Sequence, residues 1–311
     1  MKSYVFVFSQ MLKEFRRAEF EAVAQMFKIS VDIASVVTSR HACIVQLPSD
    51  ECVRQILSRC MLVRSATELL ASGSSYAELH EDLKRNADSF KKYNSPDQSF
   101  AFKLKPIGHK RDQKYIVDRF KELDFLPLHD SPVNLSSPTN RFNLIEESDG
   151  RKPNDPPFAV HFGRFIGNGQ GELKNRYNLP DRCYIGNTTM DPELSFLMAN
   201  LAQAQTNSLV LDPFCGTGGI LLPAAHFGGY CIGSEINYMV AHGIGKSSRV
   251  DQKYLTDEET VRKNFEQYGL EKNFLALLVA DSSRHDIWQF PGSSGLFDCI
   301  VADRKWRYLI Y

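Results

Sequence analysis

Apolar and polar positions recur along the chain in short segments whose period changes from one to the next. Residues 4–8, "YVFVF", form an apolar and aromatic run that reads as a strand, and 13–27 reads as a helix with Phe15, Ala18, Val23 and Phe27 near one face. "HACIVQLP" (41–48) predicts a second strand, and 50–64 predicts a helix with an Asp cap and Ile56, Cys60 and Met61 on one side. A further helix is expected at 76–86 and another at 113–124. Between them "SFAFKLKPI" (99–107) alternates apolar and basic residues at period two, a half-buried strand with Lys103 and Lys105 on one face. Residues 1–126 therefore read as a mixed α+β domain. Prolines 127, 132, 138, 153, 156 and 157 mark a loop-rich stretch, which places a linker at 127–160.

The second domain, 161–311, opens with "HFGRFIGNGQ" and continues into "YIGNTTMDPELSFLMANLAQ" (184–203). The latter predicts a helix capped by Thr188 or Thr189, with Pro192 in its first turn and an apolar face at Leu194, Leu197, Met198 and Leu201. Strand-like units at 208–212, 230–235, 275–281 and 297–302 then alternate with helices, the pattern of a parallel sheet covered by helices.

Composition adds bounds to this picture. The 311 residues suit about two domains, and 43% hydrophobic with 24% charged residues is ordinary for a globular protein. Lys+Arg and Asp+Glu both number 37, so net charge alone points to no nucleic acid. Residues 84–121, however, hold 11 Lys/Arg against 4 Asp/Glu, which on charge alone describes a solvated surface segment. Seven cysteines without a C-x-x-C pair fit reduced thiols, and the eight histidines add no ligand spacing, so no metal is expected in this chain. The N-terminal apolar run is too short for a signal peptide and no run nears the roughly 18 residues of a membrane span. A cytoplasmic (or nuclear) location with no membrane partner is expected.

Candidate chemistry centres on "LVLDPFCGTGGILL" (209–222), a strand running into a glycine turn and a helix. Glycines there let backbone approach a ligand closely at the helix N-terminus. A phosphate-binding loop needs Gly-Lys-Ser/Thr, which is absent, and Gly216-Thr-Gly218-Gly219-Ile-Leu does not spell the dinucleotide pattern G-x-G-x-x-G. S-adenosyl-L-methionine, which has no phosphate, needs close backbone approach more than anion binding. The plain alternative is a set of glycines that merely tighten the turn. Glu235, 17 residues beyond Gly218 and placed to accept from a ribose, and Asp281 in "VADSS", placed to meet an adenine amine, argue for the cofactor.

"DPFCGTGG", with "GNTTMDPELSFLMANL", "HFGRFIGNGQ", "RCYIGNTTMD", "HFGGYCIGSEIN" and "NFEQYGLE", resembles the catalytic subunit of the tRNA guanosine-10 N2-methyltransferases over most of the chain, less so before residue 120. The resemblance implies an N-terminal THUMP-like tRNA-binding region followed by a Rossmann-like S-adenosylmethionine-dependent methyltransferase domain. It also implies tRNA as substrate and a heterodimer with a small zinc-containing activator subunit. By resemblance, Thr189 and Met190 would flank the methionine end of the cofactor, Asp212, Phe214, Gly216 and Gly218 would line it, Glu235 would bind its ribose and Asp281 its adenine. Asn237 departs from the family's second acid. The resemblance also turns the basic segment toward RNA, with Lys103, Lys105, Lys110 and Arg111 as candidate phosphate contacts. His161 and Arg164, beside Phe162 and Phe165, read equally as RNA contacts or as a packed linker.

Amino-directed methyltransferases of this type resemble one another in a D-P-P-Y-like motif after the fourth strand. Its acid accepts the hydrogens of a poorly nucleophilic amine, its prolines fix the turn, and its aromatic ring stacks on the extruded base. Asp303 matches the acid, but Arg304-Lys305-Trp306-Arg307 follows and the sequence ends at Tyr311. A splice variant, a shifted reading frame or a fragment would each give this ending. The expectations are then an incomplete methyltransferase sheet whose fourth strand is an unprotected edge, and a chain that methylates tRNA poorly. Two other readings stand beside this one: a catalytically dead tRNA-binding or regulatory isoform, and an amino-methyltransferase acting on adenine or cytosine in another nucleic acid.

Overall fold

The apolar run near the N-terminus forms strand β1, Lys2–Phe8, and its alternate residues Tyr4, Phe6 and Phe8 are buried with Phe20 and Val23 of the helix Arg16–Met26. In the computed structural model, which describes residues 1–108, 110–149, 155–284 and 295–303, the chain divides into two units, Met1–Gln170 and Gly171–Tyr311. In the first, β1, β2 (Ala42–Leu47), β3 (Val63–Gly73), β4 (Phe100–Ile107), β5 (Asn140–Glu147) and β6 (Ala159–Asn168) form one sheet in the order β2-β1-β3-β6-β5-β4. All neighbours are antiparallel except β4 and β5, which are parallel.

The expected linker at 127–160 is therefore incorrect, as is a second domain beginning at 161. β5 lies wholly within that stretch and β6 pairs with β3 and β5, so the boundary falls after Gln170. The physical reason is that β5 is buried along nearly its whole length, glutamates included, and so loses the alternation that would have exposed it as a strand. The helix expected over 50–64 stops at Leu57, because the chain then enters β3; Ser49 rather than Asp50 caps it. The helix near 13–27 turns a different face inward. Phe15 is 41% exposed, whereas Glu19 is buried and accepts the N–H groups of Met61 (2.7 Å) and Leu62 (2.9 Å).

Two apolar clusters occupy one face of this sheet. Tyr4, Phe6, Phe20 and Val63 belong to the first, and Phe90, Leu104, Phe142, Leu144 and Phe162 to the second. Across their seam runs a row of cross-strand partners, Tyr4, Glu68, Arg164 and Phe142. The Arg164 guanidinium pairs with Glu68 (2.7 Å) and with Asp50, and the Tyr4 hydroxyl donates to Asp50 at 2.7 Å. Burial alone would raise the Asp50 carboxyl; hydrogen bonds and charge from Arg164 and Tyr4 outweigh it and hold that group at about 2. His161, on β6, lies 3.6 Å from Glu147. Of the two readings of Arg164 and His161, packed positions are what the structure shows.

Glu146, fully buried, accepts the Arg111 Nε–H at 2.9 Å, the Tyr115 hydroxyl at 2.7 Å and the Tyr76 hydroxyl. The side chains of Arg111 and Glu146 are 5% and 1% exposed. Arg111, expected among the RNA contacts, is therefore enclosed in an ion pair; a partner 35 positions away in sequence gave no local signal.

The second unit carries β7 (Leu209–Asp212), β8 (Tyr230–Glu235), β9 (Phe274–Val279) and β10 (Cys299–Ile300), all parallel, in the order β10-β7-β8-β9. This is the alternating α/β half expected from the sequence. The helix Pro192–Leu201 is capped by Asp191, which accepts from Glu193 and Leu194, and not by Thr188 or Thr189. Among the described residues β10 stands at one end of the sheet, and no helix there is long and apolar enough to cross a membrane. Arg304, Lys305, Trp306 and Arg307 lie outside the described residues.

Because Glu146 leaves a buried guanidinium behind when it is removed, Glu146→Ala should cost about 3–5 kcal/mol of unfolding free energy. Denaturant titration of the variant checks this, with Lys103→Ala, on an exposed position, expected to stay within about 0.5 kcal/mol of the parent.

Candidate active site

β7 ends in Asp212, which is fully buried, and the chain then turns through Gly216 and Gly218, both at positive φ (54° and 80°), before the helix Leu221–His226 begins. The Cys215 N–H donates to the Ser234 carbonyl at 2.8 Å, which ties the turn to β8. The Gly216 N–H donates to Glu235 at 3.0 Å, and the Asn237 N–H donates to the other Glu235 oxygen at 2.8 Å, so the carboxylate closing β8 is fixed in direction.

A cavity of about 780 Å³ opens over this turn. It is walled by the segment 184–190, residues 213–217, 219 and 220 of the turn, residues 235–237 at the end of β8, part of 240–255, residues 280–282 after β9, and Asp303 after β10. Thr189, Met190, Phe214, Gly216, Glu235, Asp281 and Asp303 all line it. These cavity-lining positions come from five separated segments, four of which end or follow β7, β8, β9 and β10 at the C-terminal ends of the parallel strands, where open α/β sheets take their ligands.

Two expected liners stand elsewhere. Gly218 faces away: a Cβ there would sit 2.8 Å from Val261 Cγ1, so this glycine admits the helix Val261–Gln267 and does not touch the cavity. Asp212 lies behind the wall. Its Oδ1 accepts the Phe214 N–H at 2.9 Å, and its Oδ2 is buried without a partner. Burial pushes the Asp212 carboxyl up to about 7; the Phe214 N–H pulls the other way, and the charges of Glu235 and Asp303 add to the rise. Asp281 is exposed at the rim, and hydrogen bonds from Ser283 lower its carboxyl below the usual range. Glu235, Asp281 and Asp303 stand on the wall with Lys246, and Asp212 lies behind it, so acidic side chains outnumber basic ones around the cavity.

Sequence reasoning missed the residues that hold the walls. Asn264 is fully buried; its Oδ1 accepts the Tyr184 N–H (2.8 Å), while its Nδ2 donates to the carbonyls of Tyr184 (2.8 Å) and Thr217 (3.0 Å). Thr189 accepts the Gly186 N–H at 2.7 Å and sits 3.0 Å from the Thr217 hydroxyl. The Ser282 hydroxyl lies 2.7 Å from both the Ser234 hydroxyl and the Pro213 carbonyl. "NFEQYGLE" contains Asn264 and was the available signal, but nothing in it announces a partner 80 positions earlier.

In the first unit, Lys103 is exposed and Lys105 half-buried on one face of β4, with Arg141 of β5 on that same face. Burial lowers the Lys105 ammonium, and the charges of Lys103 and Arg141 lower it further. The Arg141 guanidinium lies 5.1 Å from the Phe165 ring centre. Lys110 is exposed.

The Tmrp11 THUMP N-terminal domain matches residues 2–171, more than half of the chain and the same stretch as the first unit. The chain belongs to that family. The RMKL-like methyltransferase domain, family UPF0020, matches residues 181–283, which hold the glycine turn and three of the four parallel strands. The family's tRNA (guanine(10)-N(2))-methyltransferase TRMT11 from Xenopus laevis is 36% identical over 97% of this chain and 63% of its own length. Its Homo sapiens counterpart is 34% identical over 97% of this chain and 65% of its length, and the Saccharomyces cerevisiae tRNA (guanine(10)-N(2))-methyltransferase is 28% identical over 90% and 63%. This member of the family thus spans between 56% and 66% of the length of the curated relatives it matches, less than two thirds of each.

The two glycines of the turn should respond differently to substitution. Gly218→Ala meets both a left-handed backbone and the Val261 methyl, and should cost about 2–4 kcal/mol in thermal or chemical unfolding. Gly216→Ala has open space around it and should cost about 1 kcal/mol, from the backbone alone.

Proposed function

We propose that the chain binds S-adenosyl-L-methionine in the cavity above the glycine turn and acts on the exocyclic N2 amine of guanosine 10 in tRNA. The observation that carries the cofactor reading is the unpartnered, buried Asp212 carboxylate under a turn whose cavity is lined by Glu235, Asp281 and Asp303. The residues present fit the group: a cation is what a buried acid with a free oxygen and two acidic neighbours accommodates. The activity for which the curated relatives are named supports the choice of substrate.

In this reading Thr189, Met190, Phe214 and Gly216 hold the amino-acid end, Glu235 accepts from the ribose hydroxyls, and Asp281 accepts from the adenine amine. When bound, the cofactor supplies a methyl group on a sulfonium, an electrophile that needs little more than an aligned nucleophile. Asp303 accepts hydrogens from the guanine amine and so keeps electron density on its nitrogen. Arg304 and Lys305 stand in the sequence where the related motif has its two prolines, and Trp306 where it has its aromatic residue, so neither proline follows Asp303. Methyl incorporation into undermodified tRNA, measured with a small zinc-containing activator subunit supplied, is expected to run at least about a hundredfold below that of a relative carrying the complete motif. Equal turnover would remove that role from the motif. The exposed Lys103 and Lys110, with Lys105, are proposed phosphate contacts, and a cytoplasmic location goes with the tRNA substrate.

Three measurements test the reading. Calorimetry should lose most of the S-adenosylmethionine signal in Glu235→Ala. In the parent, affinity should rise about tenfold from pH 6 to pH 8, because a bound cation keeps Asp212 ionised and a carboxyl near 7 must first give up its proton. An affinity flat across that range would remove Asp212 from the site. Charge reversal at Lys103 and Lys105 should weaken tRNA binding and reduce the slope of log affinity against log salt by about two.

A further inference from the structure

The stretch of cavity wall that reaches Leu255 is a hairpin with chemistry of its own. The Ser247 N–H donates to the Lys253 carbonyl (3.3 Å) and the Leu255 N–H to the Gly245 carbonyl (2.9 Å), on either side of the antiparallel pair Lys246 and Tyr254. That pattern makes the two a non-hydrogen-bonded pair, the kind whose side chains stand closest together on one face. Lys246 lines the cavity, and among the described residues it is the only Lys or Arg that does. Tyr254 is 58% exposed, and the Lys253 ammonium lies 5.2 Å from the centre of its ring. Neither ammonium has an ion-pair partner among the described residues.

The hairpin is firmly held. Gly243, at φ 64°, leaves no room for a Cβ, which would stand 2.1 Å from the Glu259 carbonyl oxygen. The buried Glu259 carboxylate accepts the Thr256 N–H at 2.8 Å and the Gln252 side-chain amide. Arg249 lies 3.8 Å from that carboxylate and donates to the carbonyls of Pro180 (3.1 Å) and Cys183 (3.3 Å), which fastens the hairpin to the segment leading into Tyr184. A lysine and an exposed ring are thus presented side by side at the rim, on a backbone ordered before anything binds.

The charge around them selects the ligand. A polyanion reaching Asp303 has to pass a wall that also bears Glu235 and Asp281. Lys246 is the point on that wall where a phosphate meets opposite charge, and the ring beside it offers a base a face to stack on. We propose that Lys246 and Tyr254, with Lys253, form a nucleotide-binding platform at the rim of the cavity, which takes an RNA nucleotide adjoining the one methylated. That nucleotide is single-stranded or locally opened, since a base must leave its own stack to lie on the ring. The proposal rests on the tRNA methyltransferase reading above and adds to it an RNA contact within the methyltransferase unit.

The probe is a short, fluorescently labelled, single-stranded oligoribonucleotide in which 5-iodouridine flanks a guanosine, offered to the full chain. Irradiation should cross-link it to Tyr254, as mapped by peptide mass spectrometry, and Tyr254→Trp should keep a link at that position. In anisotropy titrations Tyr254→Ala should bind about tenfold more weakly with an unchanged slope of log affinity against log salt, the mark of a lost stack. Lys246→Ala should weaken binding and reduce that slope by about 0.7, the value for one phosphate of a single strand. Cross-links confined to other residues, or unchanged affinity and slope in both variants, overturn the platform and leave the cofactor reading standing. A Lys246→Ala chain that loses S-adenosylmethionine affinity while keeping the parent salt slope assigns the lysine to the cofactor, and that also overturns the platform. Both oligonucleotide effects in a parent chain that gives no calorimetric signal with S-adenosylmethionine overturn the cofactor reading and leave the platform as an RNA contact.

Discussion

The candidate site depends on one buried amide. Asn264 satisfies both backbone groups of Tyr184 and the carbonyl of Thr217, so a side chain from the helix before β9 clamps together the segment ahead of the sheet and the glycine turn after β7. Neither wall has regular structure of its own to hold it; 184–191 and 213–219 contain no helix or strand. An amide that makes three hydrogen bonds in a dry place has a single satisfactory orientation, which makes it a better locator than an apolar contact of the same area. The position of Thr189, and through it the shape of the pocket beside Gly219, follows from that clamp.

Polar groups taken out of water do comparable work in the first unit, though without forming a ligand site. Glu19, Asp50, Glu68, Glu146 and Glu147 are acids turned inward or held in bonded networks, each against arginine, tyrosine, histidine or backbone N–H groups. The pair formed by Glu68 and Arg164 crosses the seam between the two apolar clusters and gives that seam a definite register, since a slip of one residue would put a charged group on the opposite face.

What could be read in the sequence was what is local in it. The glycine turn, Glu235 and the four parallel strands depend on neighbours a few positions away, and they stand where expected. Lys103 and Lys105 were placed on one face by period two alone. The failures share a cause: Arg111, β5 and the cap of the helix at 192 were judged by local pattern, while their environments are made by partners tens of positions distant or by a competing residue next door. Gly218 is instructive in a different way. A glycine in a ligand-binding turn is naturally read as making room for the ligand, whereas this one makes room for a helix.

The strand order of the first unit bears on how the chain becomes a folded object. β6, the last of its strands to be synthesised, is not added at an edge but inserted between β3 and β5. Until residue 168 has left the ribosome, β1, β2 and β3 on one side and β4 and β5 on the other are two half-sheets with nothing to join them, each with an open edge facing the other. Joining them requires contacts such as Glu68 with Arg164, 96 positions apart, and closures of that length are slow. A nascent chain of this design passes through a stage in which two sticky edges wait for one strand, and that is the moment at which a chaperone has the most to shield.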